Sequence, residues 1–208
     1  MKKILFVLLA ICTFHFANAQ EFHFMPRIGV NFANISNSGG DMKPGVNVGF
    51  AVELPLLEKL SIEPGIYYSM QGTKASEYVQ VDDMKLGGDV KMNMDYLNIP
   101  IYAKYYIYEG FNVFAGPQFG FNVRSKAKIS AIGFDGSTTY NFKDAVNTFD
   151  FAIGIGAGYQ FDMGINVSLN YNIGLTNTMK SVELDDFEFE TSDKYRNGVL
   201  QLSVGYRF

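Results

Sequence analysis

The sequence predicts an all-β fold: an eight-stranded antiparallel up-and-down transmembrane β-barrel. Three observations predict it. Apolar and polar residues alternate with a period of two along most of the chain, the pattern of strands whose two faces meet different surroundings. The links between these segments are short and long by turns. Charged residues make up only 18% of the chain, against 48% hydrophobic and 15% aromatic. That charge is too sparse for a surface that is wet all round, and the apolar fraction is too high for disorder.

The first segment stands apart from the barrel. Lys2 and Lys3 precede an apolar run from Ile4 to Ile11, extended by Phe14 and Phe16, and Ala17-Asn18-Ala19 has the small-x-small form of a cleavage site. Residues 1–19 therefore read as a secretory signal peptide and residues 20–208 as the barrel domain. The run is too short for a membrane anchor, which needs about 18 apolar residues. Cys12 and His15 leave with the leader. Ile11 stands where a lipoprotein site wants a small residue. The mature chain then has no thiol, and His23 is its one histidine.

Eight strands follow. Ile28, Val30 and Phe32 oppose Arg27, Gly29, Asn31 and Ala33 in the first. Val46, Val48, Phe50, Val52 and Leu54 oppose Asn47, Gly49, Ala51 and Glu53 in the second. Leu60, Ile62, Ile66, Tyr68 and Met70 oppose Ser61, Glu63, Tyr67 and Ser69 in the third. Leu97 to Ile107, Phe111 to Val123, Phe149 to Phe161, Ile165 to Leu175 and Leu200 to Phe208 complete the set. Short links fall at Pro55–Lys59, Tyr108–Gly110 and Asp162–Gly164. Long ones fall at about Asn34–Lys43, Gly72–Asn93, Ser125–Asn147 and Thr176–Tyr195. An even number of strands with short turns at one end and long loops at the other is the outer-membrane pattern, with the short turns periplasmic. The greasy face recurs on every strand, and lipid demands a closed ring because it cannot satisfy a free strand edge. Outward Tyr105, Phe111, Tyr159, Phe161, Tyr206 and Phe208 mark one interface, and Tyr68, Phe121 and Phe149 the other. Two long loops carry hairpin signals, at Asp135-Gly136 and at Gly87-Gly88-Asp89.

At this level of detail the chain resembles the PorT-like outer-membrane β-barrel family of Gram-negative bacteria, from about Arg27 to Phe208. The resemblance rests on Gly29-Val30-Asn31-Phe32, Pro44-Gly45-Val46-Asn47-Val48-Gly49, Tyr96-Leu97-Asn98-Ile99-Pro100, Ala115-Gly116-Pro117-Gln118, Phe149-Asp150-Phe151, Tyr171-Asn172-Ile173-Gly174-Leu175 and Gly205-Tyr206-Arg207-Phe208. It implies an eight-stranded outer-membrane barrel with an export signal. It implies no single activity. The namesake is linked to secretion across the outer membrane, and no residue here carries that role over.

The chemistry left to the sequence lies in the lumen and the loops. An eight-stranded barrel is just wide enough for side chains to fill it, and Tyr67, Tyr102, Tyr106 and Phe114 point inward. Up-and-down order gathers Arg27, Glu53, Glu63, Lys104 and Arg207 near the periplasmic end of the lumen, where mixed signs predict a paired network. Arg124 and Asp150, from neighbouring strands near the outer end, are expected to form a second pair. Such charges suit either a structural plug or a gated ion path. Gly154-x-Gly156-x-Gly158 lacks the helix that a phosphate loop needs, so these glycines read as room for bulky neighbours. Glu183, Asp185, Asp186, Glu188 and Glu190 form an acidic loop whose spacing is not that of a calcium-binding EF-hand. No catalytic, metal or cofactor-binding residues are expected, since His23 lies before the first strand, at the periplasmic end and remote from the outer rim. Net charge is -4, which gives no footprint for nucleic acid. The expected partners are outer-membrane lipid, the barrel-insertion machinery reading Tyr206-Arg207-Phe208, and an extracellular or envelope protein met by the loops. The expected role is structural or interactive, with no open pore; the alternative is a narrow channel or an accessory factor for transport or secretion.

Overall fold

The computed structural model describes residues 22–81, 84–131, 137–180 and 194–208. The leader, the Asp135-Gly136 turn and the acidic loop 183–190 lie outside the described residues. The strands are β1 (His23–Ile35), β2 (Asp41–Leu57), β3 (Leu60–Val81), β4 (Met84–Tyr108), β5 (Phe111–Ala131), β6 (Ser137–Asn141), β7 (Phe149–Gln160), β8 (Ile165–Gly174) and β9 (Asn197–Tyr206). All pairings among them are antiparallel.

Eight of these strands close a ring in the order β1-β2-β3-β4-β5-β7-β8-β9, with β9 pairing back onto β1 from Arg27↔Gly205 to Ile35↔Asn197. β6 is additional. It pairs only with the upper part of β5, above the ring. Closure leaves no unpaired strand edge facing lipid, the one condition under which a sheet can cross a membrane.

Alternation sorts the faces as the sequence predicts. Ile28, Val48, Ile101, Val113, Ile155, Leu169 and Leu202 are exposed, while Asn31, Asn47, Asn98, Asn112, Asn170 and Gln201 are buried in the lumen. This inverts the usual soluble arrangement, because the solvent outside the ring is hydrocarbon. Outward rings pair at both ends: Tyr159 with Phe161 and Tyr206 with Phe208 at the short-turn end, and Phe121 with Phe149 at the other.

Two sequence expectations change. His23 opens β1 rather than preceding it. The hairpin turn expected at Gly87-Gly88-Asp89 is not there: Gly88 and Asp89 lie within β4, opposite Glu77 and Ser76. Val81 pairs with Met84, so the arms are longer and only two residues join them. β3, β4 and β5 thus run 22, 25 and 21 residues, about twice what a tilted membrane strand requires.

Candidate functional site

The lumen is the interior of the ring, and its side chains fall into layers. Nearest the short turns, Arg27 from β1, Glu53 from β2, Glu63 from β3 and Lys104 from β4 converge. Arg27 grips Glu63 with both ends of its guanidinium: Nη1 donates to Oε1 at 2.6 Å and Nη2 to Oε2 at 2.9 Å. Lys104 Nζ donates to Glu63 Oε2 and, at 3.3 Å, to Glu53 Oε2. Tyr106 Oη donates to the other Glu53 oxygen at 2.7 Å. Asn166 Oδ1 on the far wall accepts from Arg27 at 3.1 Å. Glu53 and Lys104 are 1% exposed and Glu63 2%. Two cations balance two anions, so the cluster is neutral. Each charge keeps a partner, which is the condition for burying it. The planar fork of Arg27 matches a carboxylate in a way a lysine would not.

Arg207 stands apart from this cluster. It lines the periplasmic mouth with Glu53 and Tyr106, and makes no ion pair among the described residues.

Above the charges lies a belt of neutral polar groups. Asn31 Oδ1 accepts from Asn47 at 2.7 Å and Gln201 at 3.0 Å, while its amide donates to Ser69 at 2.9 Å. Gln201 Oε1 accepts from Asn170 at 3.0 Å and Asn172 at 2.8 Å. Tyr102 reaches across to donate to Asn172 at 3.0 Å, and its ring packs on Phe114 with centroids 5.2 Å apart. Gly154 and Gly156 admit these rings. A Cβ on Gly154 would stand 2.5 Å from the Tyr102 hydroxyl, and one on Gly156 2.6 Å from Phe114 Cζ. The cavity left at this level, between Tyr67, Tyr102, Phe114 and the amides, is ≈ 20 Å³, room for about one water molecule.

The expected Arg124–Asp150 pair is replaced by two separate arrangements. Asp150 points into the lumen and accepts from Thr176 Oγ1 at 2.6 Å and Asn197 Nδ2 at 3.1 Å. Arg124 points outward with its side chain 53% exposed, 3.6 Å from Asp95, which also accepts from Tyr68 Oη at 2.7 Å. A β-bulge is the cause. Asp95 pairs with Arg124 but Tyr96 pairs with Asn122, so β5 carries one extra residue at Val123 and Arg124 changes face.

An apolar cap closes the outer end. Ile35, Met94, Tyr96 and Val146 are buried together, with Phe142, Met179 and Tyr195 packed against them. Sequence reasoning missed this layer. The signal was present: stepping back by twos from inward Asn98 reaches Tyr96 and Met94. Val146 comes from the loop before β7 and is held by a bridge to Met179, which no periodicity encodes.

The family comparison matches this architecture over residues 17–180, as an outer membrane protein beta-barrel domain. The chain belongs to the outer membrane protein beta-barrel domain family. It is accordingly a small barrel of the outer membrane with lipid around its wall. No curated protein matches the sequence. Among solved structures it is similar to Ail, the attachment invasion locus protein of Yersinia pestis crystallised with the heparin analogue sucrose octasulfate. That match has 19% identity and a TM-score of 0.48, covering 91% of this chain and 100% of that one. It is also similar to Neisserial surface protein A, at 11% identity and a TM-score of 0.49, covering 90% and 97%. The outer membrane enzyme PagL is matched at 12% identity and a TM-score of 0.33, covering 89% and 98%.

Proposed function

We propose that this chain is a closed, non-conducting outer-membrane barrel with a structural or interaction role, anchoring extracellular hairpins to a rigid wall. One observation carries this reading: the mid-lumen cavity holds about one water molecule, between a neutral ion cluster below and an apolar cap above. A hydrated ion has no path through such a column, and each layer makes its own bonds across the ring. In the same reading, residues 1–19 serve as the export signal and Tyr206-Arg207-Phe208 is read by the insertion machinery. The lumen charges are a plug rather than a site of chemistry, and the chain is not an enzyme. The PorT-like grouping suits this assignment without adding an activity.

Planar-bilayer recording on the full chain tests it, with boiled and unboiled samples compared on a denaturing gel to establish a folded barrel. Folded protein should give no conductance steps. Steps that vanish when Arg27 or Glu63 is replaced would establish a narrow channel instead.

A further inference from the structure

The long arms of β3, β4 and β5 carry a feature that net charge conceals. Above the ring, Lys74 pairs with Lys91, and Lys91 with Lys128, in one cross-strand row. Lys126 stands two rungs lower, opposite Asn93. Residues directly opposite in antiparallel strands have Cβ atoms about 4.5–5.5 Å apart, and like charges so placed destabilise the pair. None of these four lysines makes an ion pair among the described residues. Asp41 of β2 stands opposite Lys74 at one end of the row, but the sheet still tolerates two like-charged pairings, Lys74 with Lys91 and Lys91 with Lys128.

Parity and height say what the row faces. Leu97 points to lipid, and Lys91 follows it by three steps of two, on the same outward face. On β5 the bulge at Val123 resets the alternation, so that Lys126 and Lys128 share the outward face with Arg124. Leu97 shares a rung with Tyr68 and Phe121, in the outer aromatic belt. Six residues further along a strand tilted by about 45° is a rise of roughly 14 Å. Lysine stems long enough to snorkel then direct ammonium groups down towards the headgroup layer.

We infer that this row binds phosphate-bearing lipid headgroups of the outer leaflet, with the acyl chains lying on the apolar wall directly beneath. A lipid fits better than a dissolved anion because the lysines stand over the lipid-facing side of the wall, not over the mouth of the lumen. The inference needs the barrel to stand in the outer membrane, and holds whether or not the lumen conducts.

The test uses the full chain in nanodiscs of phosphatidylcholine, with and without diphosphoryl lipid A, reading retained lipid by native mass spectrometry. Wild type should enrich lipid A over phosphatidylcholine. At about 1 kcal/mol per basic residue near an anionic surface, each lysine contributes roughly fivefold. Lys91→Gln should weaken enrichment by that factor, and the Lys74→Gln/Lys91→Gln/Lys128→Gln variant on the order of a hundredfold. Lys59→Gln, in the periplasmic turn, should leave it unchanged. Heat-modifiability in plain phosphatidylcholine should be retained or improved in the triple variant, since repulsion is relieved. Should the triple variant misfold, Lys91→Gln alone decides. Equal retention of both lipids by wild type, or undiminished enrichment in Lys91→Gln, overturns the inference. So does inositol hexakisphosphate binding the barrel with no accompanying preference for lipid A, which would mark a soluble anion as the ligand.

Discussion

The two ends of the lumen solve the same packing problem with opposite chemistry. The periplasmic end is closed by ionised groups that neutralise one another: Arg27, Glu53, Glu63 and Lys104. The extracellular end is closed by Ile35, Met94, Tyr96 and Val146, none of them charged, and the inward Asp150 is held separately by Thr176 and Asn197. The difference lies in what each arrangement tolerates. An apolar cluster loses stability by degrees as atoms are removed, because its contacts are many and weak. A buried ion cluster fails abruptly when one member is lost, because the remaining charge has nowhere to go. Removing a charge should therefore cost more than removing a similar number of apolar atoms.

The sharpest break of this comparison is Glu63→Ala, which strands Arg27 and leaves Lys104 with Glu53 alone. Urea unfolding in detergent micelles should show a loss of about 3–5 kcal/mol. Replacing Arg27, Glu53, Glu63 and Lys104 together by Met, Leu, Leu and Met should cost much less, since no charge of the cluster is left unpaired. Equal losses in the single and quadruple variants would show that the four residues act as filler and not as a network. On the apolar side, Met94→Ala should cost about 2–3 kcal/mol, at the low end for a buried methionine because the mouth can relax. A loss as large as that of Glu63→Ala would erase the distinction. Between the two layers, Gly156→Ala drives a methyl group into Phe114 and should cost about 1–3 kcal/mol by overpacking. A Phe114→Leu background should restore part of it, measured by the same unfolding curves. The smallest effect belongs outside the lumen. Arg124→Ala removes a half-exposed partner 3.6 Å from Asp95, and should change stability by less than about 1 kcal/mol. A larger change would mean that the bulge itself depends on that contact.

How much of this was legible in the sequence follows from which forces act locally. The lipid-facing residues were legible throughout, because every strand meets the same apolar solvent and alternation is strict. Gathering Arg27, Glu53, Glu63 and Lys104 at one end required only up-and-down order, and the structure brings those four together. Arg124 was misplaced because one extra residue at Val123 reverses the count, and no composition cue marks a bulge there. The cap was missed because half of it comes from irregular chain: Val146 and Met179 meet through a long-range bridge. The row of lysines needed the register of three strands, which alternation within one strand cannot supply.

The order of the chain also bears on how the ring comes together. The four residues of the periplasmic ion cluster come from β1 to β4, while β8 and β9 bring the neutral partners Asn166, Asn170, Asn172 and Gln201. Strands that pair in the order of synthesis assemble the whole cluster on an open half-barrel, its charges already cancelled. The seam that remains, β1 against β9, is then bridged across the lumen by neutral side chains, with Gln201 donating to Asn31. The last step of assembly brings no further member to that cluster.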